Sequence, residues 1–159
     1  MRFTESARRA TLVAQAEAGE RGGNRLQPEH LLYALLSGAP NTATELLVRL
    51  EVDAGELRAA LEPHLRGEGY RPEQGIRPSE AYRRAGERAH EEMFRLGDRS
   101  LDAVHLLLGI AGEREGPASG LLAARGATLE ALRARLHRAR GRGWGILRRL
   151  FRCRAPEQE

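Results

Sequence analysis

The stretch RLQPEHLLYALL at residues 25–36 returns 75 positions later as LDAVHLLLGI at residues 101–110, with His30-Leu31-Leu32 over His105-Leu106-Leu107. Working outward at the same offset, the chain lies on itself without a gap from Thr4 over Ser79 to Leu61 over Leu136. The register is kept by Glu5/Glu80, Arg8/Arg83, Arg9/Arg84, Ala10/Ala85, Ala14/Ala89, Glu17/Glu92, Gly22/Gly97 and Leu26/Leu101. It continues through Leu46-Leu47 over Leu121-Leu122 and Leu57, Arg58, Ala59, Leu61 over Leu132, Arg133, Ala134, Leu136. A period of this length is a supersecondary unit used twice rather than a solenoid repeat.

Each unit reads as four helices. Thr4 caps a first helix to about Glu20, with Ala7, Ala10, Val13 and Ala14 at helical spacing and Gly22-Gly23-Asn24 to end it. Pro28 opens a second helix, whose Leu31, Leu32, Leu35 and Leu36 mark it as the buried one, and Ser37-Gly38 stops it. Asn41 or Thr42 caps a third helix carrying Leu46, Leu47 and Leu50. Asp53 with Glu56 forms a capping-box pattern for a fourth helix through Leu57, Leu61 and Leu65. The second unit repeats that order: Ser79, Asp102 and Thr128 are caps, and Pro117 opens the short third helix. Aromatic residues make up only 4 % of the chain, so a core of Leu, Ala and Val is expected, in an all-α fold of eight helices. The predicted domain covers residues 1–140, with repeat one at about 3–66, a Gly- and Pro-rich linker at 67–78 and repeat two at about 79–140. Residues 141–159 form an Arg-rich tail, amphipathic or disordered.

All 26 basic side chains are Arg, which excludes the Lys-dependent GxxxxGK[ST] phosphate loop and, with it, a P-loop ATPase on this chain. Residues 1–132 carry 17 Arg against 20 carboxylates; residues 133–159 carry nine Arg against Glu157 and Glu159. The body is mildly acidic and the tail strongly basic. A single Cys153 excludes an internal disulfide, the first residues lack a secretory apolar run, and a reducing cytoplasm is the expected compartment.

The residues FTESARR at 3–9, with the two His-Leu-Leu stretches quoted above, resemble the N-terminal domain of Clp ATPases of the ClpC and ClpA type. The resemblance covers roughly residues 2–140, and implies two pseudo-repeats of four helices without catalytic activity. Its implied role is to dock adaptors and substrates: Clp unfoldase or protease components, adaptor proteins or substrate proteins are the implied partners. It further implies, from the family's Glu-His motifs, a carboxylate that receives the guanidinium of phosphorylated arginine. Glu29 stands at the first such position and Val104 at the second; the family's Thr before Glu is Pro28 and Ala103. Phe3 with Thr4, and Ser79 after Pro78, stand where the family has an aromatic and a hydroxyl near the bound phosphate. Glu29 also suits the first turn of any helix, and Thr4 and Ser79 are equally good caps, so both readings stay open. With a length of 159 residues, a free-standing domain acting as accessory subunit, adaptor or decoy is expected.

No metal or other cofactor is expected. His30 and His105 read as hydrogen-bonded structural residues, His90-Glu91 lacks a second His four positions on, and His64 and His137 have no Cys or carboxylate cluster. No Ser lies in a GxSxG elbow and Cys153 has no positioned base, so no enzyme is expected. In the tail, Trp144, Leu147 and Phe151 interleave with Arg148, Arg149 and Arg152, a pattern open to an anionic membrane, nucleic acid, a partner groove or a solvated tail.

Overall fold

The computed structural model describes the backbone of residues 2–151 and the side chains of residues 2–141. Eight α-helices are present among them: α1 (Glu5–Glu20), α2 (Pro28–Leu36), α3 (Thr42–Arg49), α4 (Ala54–Leu61), α5 (Glu80–Leu96), α6 (Ala103–Gly112), α7 (Pro117–Ala124) and α8 (Leu129–Phe151). Four two-residue strands join them: β1 (Arg2–Phe3), β2 (Arg25–Leu26), β3 (Arg77–Pro78) and β4 (Ser100–Leu101).

The caps fall where hydroxyl and carboxylate side chains precede apolar periods. Thr4 accepts from the Ala7 N–H, Ser79 from Tyr82, Asn41 from Ala43 and Thr44, Asp53 from Glu56 and Thr128 from Ala131. Most of these helices are too short to persist alone in water, so packing sustains them. α1 buries only alanines (Ala7, Ala10, Ala14, Ala18), and α5 presents Ala85 and Ala89 at the equivalent positions. These small residues let the second helix of each copy approach closely. α6 sits tightest, since a Cβ added at Gly109 would lie 2.2 Å from the Ala85 carbonyl oxygen. α2 and α6 are buried almost all round, as expected of helices inside a core rather than on its surface. α6 packs on α1, α2 and α3 of the first copy as well as on α5, α7 and α8, so the two copies share one hydrophobic core.

The strands tie the copies together. β1 pairs in parallel with β4 and β2 with β3, so the start of each copy adds to the strand before the second helix of the other. The same backbone bond closes each pair: Thr4 N–H to Leu101 O and Ser79 N–H to Leu26 O, both 2.9 Å. A pseudo-dyad therefore relates two joints between the copies.

One detail differs from the sequence expectation and two go beyond it. The fourth helix stops at Leu61, because Pro63 has no N–H to extend the ladder; a 3₁₀ turn over Glu62–His64 carries the chain to buried Leu65. The linker is ordered: the Asn24 side chain donates to Arg71 O (2.7 Å) and Gly75 O (2.8 Å) and accepts from Arg71 N–H (2.7 Å), while Ile76 and Tyr70 cover Gly19. Finally, α8 runs unbroken through residue 140, where the composition changes.

Candidate functional site

The two joints are equivalent by descent but not in chemistry. In the first, Asp102 caps α6 beside Thr4, and its carboxylate is enclosed by donors. Oδ1 accepts from Thr4 Oγ1 (2.7 Å), Ser6 Oγ (2.9 Å) and Ala103 N–H (2.8 Å); Oδ2 accepts from Thr42 Oγ1 (2.8 Å). Thr42 Oγ1 in turn accepts from the Val104 N–H at 3.0 Å. Burial alone would raise the Asp102 carboxyl, but the bonds from Thr4, Thr42, Ala103 and Ser6 outweigh it and hold it below its usual value. This one carboxylate thus binds the starts of α1, α3 and α6 across the copies.

In the second joint only the Thr4 hydroxyl is kept, as Ser79; the carboxylate and its other partners are replaced. Gln27 stands for Asp102, Ala81 for Ser6, Pro117 for Thr42, and Pro28 for Ala103, which deletes the N–H itself. The Ser79 hydroxyl accepts from Tyr82 N–H (3.1 Å) and donates to no group among the described residues. Here the surface opens into a cleft of about 1110 Å³, bounded by β2, β3, the linker and the start of α7. Glu29 lies in its wall at 4 % exposure; Oε1 accepts from the Ala118 N–H at 3.1 Å and so caps α7, while its other oxygen has no partner among the described residues. Arg25, Arg77 and Arg83 border the same cleft without ion-pair partners among the described residues, and Glu68 and Glu80 also line it.

The repeated histidines have a shared structural task. His30 Nδ1 accepts from the Gln27 N–H (3.0 Å), and His105 Nδ1 from the Asp102 N–H (2.8 Å), each satisfying the backbone at the start of its helix. Because Nδ1 accepts, Nε2 carries the proton: it donates to Leu65 O (3.0 Å) in the first copy and to Asp98 Oδ2 (2.7 Å) in the second. Asp98 also receives Arg140 from α8 at 2.8 and 3.0 Å. Its carboxyl, which burial would raise, is held low by the bonds from Arg140 and His105. Buried Glu92 is likewise held low, against burial, by Arg133 of α8 and by Arg95.

The Clp repeat (R) N-terminal domain profile matches residues 2–125. The chain belongs to the Clp N-terminal domain family. Chaperone protein ClpB of Oceanobacillus iheyensis is 30 % identical over 132 residues, covering 83 % of this chain and 16 % of the relative. The ClpC/MecB negative regulator of genetic competence of Bacillus subtilis gives the same identity and coverage. The Clp-N chain thus spans about a sixth of the length of these relatives. In fold it is similar to the Hsp104 N-terminal domain of Candida albicans, with a TM-score of 0.73 at 19 % identity over 89 % of this chain and 93 % of that one.

Of the residues proposed from this Clp-N resemblance, Glu29 and Ser79 come together in the open cleft, whereas Phe3 and Thr4 belong to the opposite joint. There Thr4 is committed to Asp102 and the α1 cap, and half-exposed Phe3 stacks edge-on against His90 with ring centroids 6.3 Å apart. The side chains of Trp144, Arg148, Arg149 and Phe151, and Arg152 altogether, lie outside the described residues. Sequence reasoning passed over Asp102 as a cross-copy tie, with Ser6 and Thr42. The signal was present in the internal alignment, where Asp102, Ser6, Thr42 and Ala103 change together in the other copy. Among the described residues no group of three or more His, Cys, Asp or Glu is placed to hold a metal, and no helix is long and apolar enough to cross a membrane.

Proposed function

We propose that this chain is a non-catalytic binding module of Clp-dependent protein quality control, acting in the cytoplasm as an accessory subunit, adaptor or decoy that takes peptides, substrates or adaptors. Family membership supports a binding role, and the observation that carries the choice of site is the asymmetry of the two joints. One is filled by the chain's own Asp102; the other leaves the Ser79 hydroxyl donor and one Glu29 oxygen without partners among the described residues, beside an open cleft. A carboxylate with a free oxygen at the base of a mixed-charge cleft suits a guanidinium, and an unclaimed hydroxyl donor suits an oxyanion beside it.

Titration with an arginine-phosphorylated peptide and its unphosphorylated twin tests this reading. Glu29→Gln keeps an acceptor for the Ala118 N–H and removes only the charge, so it is expected to fold as the parent does. The phosphorylated peptide should bind the parent in preference to its twin, and roughly tenfold or more tightly than it binds Glu29→Gln, the scale of one charge-assisted pair. Equal affinity of parent and variant rejects the site, while Val104→Ala, in the sealed joint, should change little. Adding the chain to a Clp unfoldase and protease degrading a marked substrate then separates the roles. A decoy slows degradation, and an adaptor speeds it.

A further inference from the structure

Helix α8 has an anchored first half: Leu132 and Leu136 are buried in the core, Arg133 pairs with Glu92, and Arg140 pairs with Asp98. The helix then continues to Phe151, through a sequence that the fold does not account for, GRGWGILRRLF at residues 141–151. Residues 131–156 hold nine Arg and no carboxylate, and of these Arg133 and Arg140 are paired with Glu92 and Asp98 of the body. On a helix turning 100° per residue, Trp144, Ile146, Leu147, Leu150 and Phe151 share an arc of about 160°. Arg142, Arg148 and Arg149 share the remainder, and on the same count Arg138 falls among them.

We propose that this second half of α8 is a membrane-surface element, which docks the chain on an anionic lipid bilayer. The proposal is independent of the cleft. Cations alone would serve nucleic acid as well, but phosphate binding gives no use to a continuous arc of Ile146, Leu147, Leu150, Phe151 and Trp144. A protein groove would use the arc and leave the arginines without a task. An interface of anionic headgroups over acyl chains uses both, with Trp144 at the boundary that its amphipathic ring favours. Residues 144–151 span only about 12 Å as a helix, far short of a bilayer core, so the element lies on the surface and does not cross it.

Trp144 is the chain's single tryptophan, so its emission reports on this segment in the intact protein. The full chain is titrated with vesicles of phosphatidylcholine alone and of phosphatidylcholine with phosphatidylglycerol. The expected result is a blue shift and co-sedimentation with the anionic vesicles, with affinity for neutral ones lower on the order of a hundredfold, given several arginines near the surface. The shift should weaken with added salt and disappear in Leu147→Glu/Phe151→Glu, which leaves the arginines in place. Absence of a shift with anionic vesicles at low salt overturns the proposal, as does an undiminished shift in the double variant. A response to a DNA oligonucleotide in place of vesicles overturns it in favour of nucleic acid.

Discussion

Replacing Asp102 by Asn changes one atom and tests whether the sealed joint holds the copies together. The carboxylate accepts three bonds on Oδ1 and one on Oδ2. With its amide oxygen facing Thr4, Ser6 and Ala103, Asn keeps three bonds but makes them neutral, and turns an NH₂ toward Thr42. A hydrogen bond to a charged acceptor contributes about 1.5–3 kcal/mol and a neutral one about 0.5–1.5, so three weakened bonds and one lost come to roughly 6 kcal/mol. Relief of the charge's desolvation offsets part of this, because Asp102 is partly buried, which leaves an expected loss of about 2–3 kcal/mol. For a domain of this size that is a fall in Tm of about 5–12 °C. The assay is urea unfolding of parent and variant by circular dichroism across acidic pH. Asp102 has a folded pKa below its ordinary 3.8, so its contribution is complete above 3.8 and is lost as pH falls through the lower folded value. The difference between parent and variant should therefore narrow only in strong acid. A difference under about 0.5 kcal/mol at neutral pH, or one of equal size throughout, would refute the role given to this carboxylate.

Two backbone predictions follow from the internal comparison. Gly109→Ala places a Cβ 2.2 Å from the Ala85 carbonyl oxygen and 2.9 Å from the Ala89 nitrogen, so α6 must move off α5; a loss of about 2–4 kcal/mol in urea unfolding is expected, and a loss below 1 would show that the contact gives way easily. Glu51 holds φ +58° where the other copy has Gly126 at +79°, so Glu51→Gly should stabilise the chain by about 0.5–1 kcal/mol, visible as a higher urea midpoint with unchanged slope.

The eight helices were legible because their signals are local. Thr4, Asn41, Asp53, Ser79, Asp102 and Thr128 announce helix starts through hydrogen bonds to backbone groups one to three residues away, and apolar spacing marks each buried face. What distance hid was pairing. Two-residue strands such as Arg2–Phe3 have no period to read, and their partners lie in the other copy. The linker could be read only as a loop, because its order comes from Asn24, 47 positions before the Arg71 that it binds. The resemblance placed Glu29 and Ser79 at matching motif positions, and the fold brings them to one cleft. It set Phe3 and Thr4 at the start of one copy and Ser79 at the start of the other, and held no information on which start crosses to which helix.

That crossing explains why duplication yields one sealed joint and one open one, and why a single substitution does not interconvert them. An aspartate placed at residue 27 would meet the Ser79 hydroxyl but not the other three donors: Ala81 has no hydroxyl, Pro117 none, and Pro28 has no N–H. One bond in place of four leaves the cost of burying the charge largely uncompensated, so the residue there is better neutral. The reverse holds at Asp102, where three hydroxyls and an N–H would be left unsatisfied without the carboxylate. Each joint is thus locked in its state by several residues at once. The open cleft persists because the proline that starts α2 cannot offer the donor that its counterpart Ala103 gives to Asp102.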